Sequence, residues 1–141
     1  MRVHTHRIRG NRRRGATTVE FAMTVPILFL FFLAQVEFSR ANMVRHALKT
    51  GCYEGCRAGI ALGTTEEDVE AAARETLNAA GLSHYQIELS PSTITPATRE
   101  VTVRITAPIE GNTWVSPLFL NGVVLESSMS MERELIDQTS F

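Results

Sequence analysis

The chain reads as an α+β protein: a long N-terminal helix, a second helix and a small three-stranded antiparallel sheet. Three observations predict this. An apolar run follows a cluster of arginines, its helical spacing continues beyond the run, and past residue 85 the apolar period falls from about 3.6 to 2. A chain of 141 residues makes one domain by the usual length prior. Setting the apolar segment aside leaves about a hundred residues, enough for one modest core.

Six arginines fall within the first fourteen residues, ending in Arg12-Arg13-Arg14-Gly15, and no acid accompanies them. The net charge of −1 therefore conceals a polarity: the remainder carries 14 − 6 = 8 basic against 15 acidic residues, or −7. Such a leader suits nucleic acid in charge alone. It lacks interleaved aromatics and runs straight into a hydrophobic helix, so no nucleic-acid partner is expected. Positive-inside topology accounts for it better: residues 1–15 stay cytoplasmic and the acidic body is exported.

The apolar segment Phe21–Val36 is bounded by Glu20 and Glu37. Its sixteen residues fall short of the about 20 that cross a bilayer core, and Ala16–Val19 extends it. Residues 16–36 are thus read as one transmembrane segment. A cleavable secretory or twin-arginine signal is the rival, but Gln35-Val36-Glu37-Phe38, at the end of the apolar run, is a poor cleavage site. Pro26 lies well inside and should kink the helix. Glu20 is the costly residue, because a carboxylate at mid-bilayer is penalised by roughly 2.5–3.5 kcal/mol.

Helical spacing continues through Phe38, Ala41, Met43, Val44, Ala47 and Leu48, so one spine is expected from Ala16 to near Leu62. At 1.5 Å per residue it would be roughly 70 Å long, half in the bilayer and half against a globular head. Gly51, Gly55, Gly59 and Gly63 then recur every fourth residue. Each interior glycine costs a helix up to about 1 kcal/mol against alanine. The row therefore argues for a smooth face that lets another backbone approach closely, from this protein's own sheet or a neighbouring subunit's helix, with Gly63 as the C-cap, rather than for a loop beginning near Lys49. Cys52 and Cys56 lie on the neighbouring row. One helical turn puts their Cα atoms roughly 6 Å apart, near the limit for a disulfide, and buried free thiols are the favoured state. No further Cys or His accompanies them, so no metal site is expected.

Thr64-Thr65-Glu66-Glu67 opens the second helix with an N-cap and early acids, and Gly81 ends it. Its inward face is Val69, Ala72, Ala73, Thr76, Leu77 and Ala80. Three alternating runs follow: Tyr85, Ile87, Leu89; Val101, Val103, Ile105; and Val123, Leu125, Ser127, Met129, Met131. Pro91, Pro96, Pro108 and Pro117 are assigned to connections. The loop 108–122 is unusually apolar, with Trp114, Val115, Leu118, Phe119 and Leu120, and either folds back on the core or presents a contact surface. Residues 37–133 thus form the exported spine and head, and 134–141 a polar tail expected to fray.

Chemistry finds no foothold. His4, His6, His46 and His84 are scattered, the glycine row lacks the Lys-Ser/Thr of a phosphate loop, and no Ser or Cys sits in a nucleophile motif. The chain is read as a non-enzyme with no catalytic residues and no cofactor.

The stretch Gly15-Ala16-Thr17-Thr18-Val19-Glu20-Phe21-Ala22-Met23-Thr24-Val25-Pro26 resembles the TadE-like pseudopilins of tight-adherence (Tad/Flp) pilus systems. The resemblance continues through Arg45-His46-Ala47-Leu48 and Gly55-Cys56-Arg57-Ala58, and fades past Gly63. It implies a pilin-like fold and cleavage of residues 1–15 between Gly15 and Ala16 by a prepilin peptidase, an aspartyl protease acting on the cytoplasmic side. Gly15 would serve because an enzyme gripping an extended backbone leaves no room there for a side chain. Glu20 would become the fifth residue of the mature chain, close to the new amine of Ala16, and would set the subunit register. Phe21 departs from the tyrosine usual in major pilins, which with the sizeable head implies a minor pseudopilin. The implied partners are other Tad pilins and pseudopilins, and the inner-membrane platform with its ATPase. The implied location is the bacterial inner membrane, single pass, N-terminus cytoplasmic. The alternative is an uncleaved single-pass membrane protein whose head binds an envelope component or ligand.

Overall fold

The computed structural model describes residues 12–113 and 117–133. The leader through residue 11, Trp114 and Val115 of the apolar loop, and the tail 134–141 lie outside them. The elements run in the expected order: helix α1 (Arg12–Gly59), helix α2 (Glu66–Ala79), and strands β1 (Gln86–Ser90), β2 (Glu100–Pro108) and β3 (Val124–Glu132). The protein is α+β. Two compact units meet in sequence between Val36 and Glu37, and α1 contributes to both.

The first unit holds the N-terminal part of α1. Within the described residues α1 already includes Arg12-Arg13-Arg14 ahead of Ala16, because arginine is a good helix former. Pro26 lies within it.

In the second unit α1 stops at Gly59, one turn short of the expected C-cap. Gly63 instead occupies the inter-helix turn with φ +78°. Thr65 caps α2 reciprocally: its hydroxyl accepts from the Asp68 N–H, and the Asp68 carboxylate accepts from the Thr65 N–H. At the other end Gly81 adopts φ +77°, a conformation open to glycine without a Cβ penalty. There the Leu82 N–H bonds Leu77 O at 3.0 Å and the Gly81 N–H bonds Asn78 O at 2.9 Å, a Schellman closure that buries Leu82.

The sheet is antiparallel in the order β1-β2-β3. Ile87 pairs with Ile105 and Leu89 with Val103, while on the other side Val103 pairs with Met129 and Val101 with Met131. This register puts every apolar alternate on one face. Pro108 ends β2 rather than lying in a connection; at a strand terminus its missing N–H costs no interior ladder bond. The core is built from Val44, Leu48, Cys52 and Cys56 of α1, Val69, Ala73 and Leu77 of α2, and Val101, Val103 and Ile105 of β2, all essentially fully buried.

Candidate functional site: the apolar helix and its junction

Gly15, Ala16, Glu20 and Phe21 fall together on the first turns of α1, where Ala16 and Glu20 share a face at i, i+4. A Cβ at Gly15 would meet nothing within 4 Å. Among the described residues the glycine therefore answers no packing need. Phe21 is 69% exposed, and Met23, Ile27, Leu28, Phe29, Leu30, Phe31 and Phe32 are each more than half exposed. Among the described residues these side chains are left exposed. The stretch is long and apolar enough to cross a membrane, and the chain fits a single-pass membrane protein. Within it, Thr24 returns its hydroxyl to Glu20 O at 2.7 Å.

The glycine row has a different setting. Gly51, Gly55 and Gly59 are buried, and a Cβ at each would lie 3.0–3.3 Å from its nearest neighbour. Those neighbours are Ile105 and Leu77 for Gly51, Ala73 and Val103 for Gly55, and Val101 and Val69 for Gly59. The close approach is made by side chains of α2 and β2 from the same chain, not by a passing backbone. Gly63 has nothing within 4 Å and takes no part.

Cys52 and Cys56 are free, buried thiols. Cys52 Sγ donates to Ser127 O at 3.3 Å and Cys56 Sγ to Met129 O at 3.1 Å, both carbonyls of β3. Burial pushes both thiols up from their ordinary range, leaving little thiolate for chemistry. Among the described residues no three His, Cys, Asp or Glu side chains converge as a metal would require.

Two polar fixtures escaped sequence reasoning. Asn112 is buried: its Oδ1 accepts from the Ser83 and His84 N–H groups at 2.9 and 3.1 Å, and its Nδ2 donates to His84 O and Pro108 O at 2.7 and 2.8 Å. Its own carbonyl accepts from the Arg40 guanidinium of α1 at 3.2 Å. The second fixture is Glu37. Its carboxylate accepts from the backbone N–H groups of Leu118, Phe119 and Leu120 at 2.6, 2.9 and 3.3 Å. Desolvation pushes that carboxyl up, yet the three donors together outweigh it and hold the group below the usual glutamate range. Glu37 ends the apolar run, which is a visible signal. Nothing in Gly111-Asn112-Thr113 beyond turn composition announces the Asn112 hub.

No curated protein and no solved structure matches the chain. The junction, the apolar segment and most of the glycine-lined stretch, residues 15–57, match the family model of TadE-like protein, and over this stretch the chain is similar to that family.

Proposed function

We propose that the protein is a minor pseudopilin of a Tad/Flp pilus, cut by a prepilin peptidase between Gly15 and Ala16 and then used to prime or assemble the filament for surface adherence. One observation carries the reading: the family match opens at Gly15, and an uncovered apolar helix containing Glu20 follows at once. The arginine leader stays in the cytoplasm and the Glu37–Arg133 portion is exported across the inner membrane. The partners are the peptidase, other pilins and pseudopilins, and the membrane platform with its ATPase.

Because Gly15 lies inside α1, the scissile bond is helical before the enzyme engages it. Cleavage then requires the first turn to unwind, and glycine, about 1 kcal/mol worse than alanine in a helix, lowers that cost at the bond to be cut. After the cut, the Ala16 ammonium of the same or a neighbouring chain lies near Glu20, and pairing in low dielectric offsets burial of the carboxylate only when the partner is close. Glu20 thereby favours one axial register of subunits. N-terminal sequencing of protein co-expressed with the cognate peptidase tests this. Ala16 should be the first residue, and an unshifted precursor in the presence of active peptidase would reject the reading.

A further inference from the structure

The 117–124 connection is unusually apolar, and its side chains divide into two sets. Leu120 packs on the core and Pro117 is buried, while Leu118 and Phe119 are 66% and 53% exposed, with Val123 and Val124 exposed beyond them. A loop that merely folded back would bury Leu118 and Phe119. Instead the backbone beneath those two residues is fastened to a single side chain, the Glu37 carboxylate, through three N–H donors.

Glu37 is the first residue past the apolar segment 16–36. Whatever bilayer that segment crosses therefore ends next to Glu37, and a loop bonded to the Glu37 side chain is held within a few ångströms of that surface by connectivity alone. Phe38, the next residue of α1, is also exposed. The tether satisfies three backbone donors that would otherwise resist leaving water, which is what an irregular segment needs in order to sit at a membrane boundary. We propose that residues 118–119 form an interfacial anchor, inserting Leu118 and Phe119 into the headgroup–acyl boundary of the leaflet from which the second unit emerges. Exposed apolar side chains immersed to that depth contribute by area buried, as for peripheral amphipathic elements. The occupant of this surface is lipid. The inference rests on residues 16–36 spanning the membrane.

The test uses the full chain in phosphatidylcholine vesicles, in a Trp114→Phe background, with one tryptophan introduced at a time. Phe119→Trp should emit to the blue and lose emission most to lipid brominated near the headgroup. Phe29→Trp should lose it most to lipid brominated near the bilayer centre. Glu88→Trp, on the exposed face of β1, should respond to aqueous iodide and to neither lipid. If Phe119→Trp behaves like Glu88→Trp while Phe29→Trp is still quenched from within the bilayer, the anchor is overturned and the spanning segment stands. Loss of lipid quenching at Phe29→Trp as well overturns the spanning reading beneath it. Shielding of Phe119→Trp from iodide and lipid alike assigns the surface to a protein contact and likewise overturns the anchor. Adding Glu37→Ala should reduce the shallow quenching of Phe119→Trp, and unchanged quenching would refute the tether. Should the Trp114→Phe background fold poorly, bimane on Phe119→Cys gives the same reading, since Cys52 and Cys56 are buried.

Discussion

Residues 16–36 and residues 37–59 belong to the same helix and solve opposite problems. The first stretch carries Phe, Leu and Ile side chains that nothing among the described residues covers; the second carries glycines at which an added Cβ would lie 3.0–3.3 Å from side chains of α2 and β2. Large apolar side chains left bare belong to a helix whose covering comes from outside the chain. A face stripped to glycine belongs to a helix whose covering is already built. The size of the residues along a helix thus tells which surroundings it was selected for, independently of its mean hydropathy.

The sharpest break of this contrast should come from Asn112→Ala. It removes the partner of the Ser83 and His84 N–H groups and of the Pro108 carbonyl at a part-buried site, and an unsatisfied buried group costs about 1–3 kcal/mol, less where water reaches it. A loss of about 3 kcal/mol is expected by urea titration of the full chain in micelles, allowing for partial solvation and incomplete additivity. Membrane insertion should be unaltered. A shift too small to resolve would mean that water replaces the side chain.

Next in size is the glycine face. Gly55→Leu should overpack against Ala73 and Val103 and lower stability by about 1–3 kcal/mol. Gly55→Ala should be neutral or stabilising, because a gain of about 1 kcal/mol in helix propensity opposes contacts of 3.3 and 3.4 Å, only slightly tight. Gly15→Leu, with open space around it, should leave the melting temperature unchanged and accumulate precursor when the peptidase is present. Equal melting for Gly55→Leu and wild type would erase the distinction between the two stretches.

A smaller effect follows from pH. Asp68 at the α2 cap, Glu66 bound by its own N–H and that of Ile94, and Glu37 under its three donors are all held below their ordinary values. A carboxyl lowered on folding contributes stability above its unfolded pKa and loses it as pH falls through its folded one. Melting of the second unit should therefore be flat from pH 7 down to about 5 and fall progressively below about 4, where these groups protonate. Invariant melting down to acid pH would show these exposed bonds to be energetically silent.

The least effect on folding is expected from Glu20→Ala. The variant should melt like wild type, insert, and still be cut after Gly15, yet fail to support pili. Wild-type pilus numbers from a strain carrying only this variant would deny Glu20 a role in register.

Much of this was legible in the chain. The order of elements, the strand faces and the α2 cap follow from periodicity and from Thr65 with its acids, because those signals are local. The glycine row announced a close approach, and its distances are now known, but which partner makes it could not be read: that depends on strands about 50 residues away. That α1 extends ahead of Ala16 does not follow from apolar spacing, because Arg12-Arg13-Arg14 carry no apolar period. Asn112 and the Glu37 tether were invisible for the same reason as the glycine partner, since each joins groups from 28 to 83 residues apart.

The two thiols carry a consequence of their own. Cys52 and Cys56 lie beneath β3, each S–H engaged by a strand carbonyl, so no reagent reaches sulfur while α1 stays closed on the sheet. Alkylation must wait for that closure to lapse. In the limit where reclosing outruns labelling, the rate at which the pair is modified equals the intrinsic thiolate rate multiplied by the fraction of time the layer is open. The protein thus carries its own clock for separation of helix from sheet, readable by mass in intact membranes, and a thiol reagent marks a molecule only while that layer stands open.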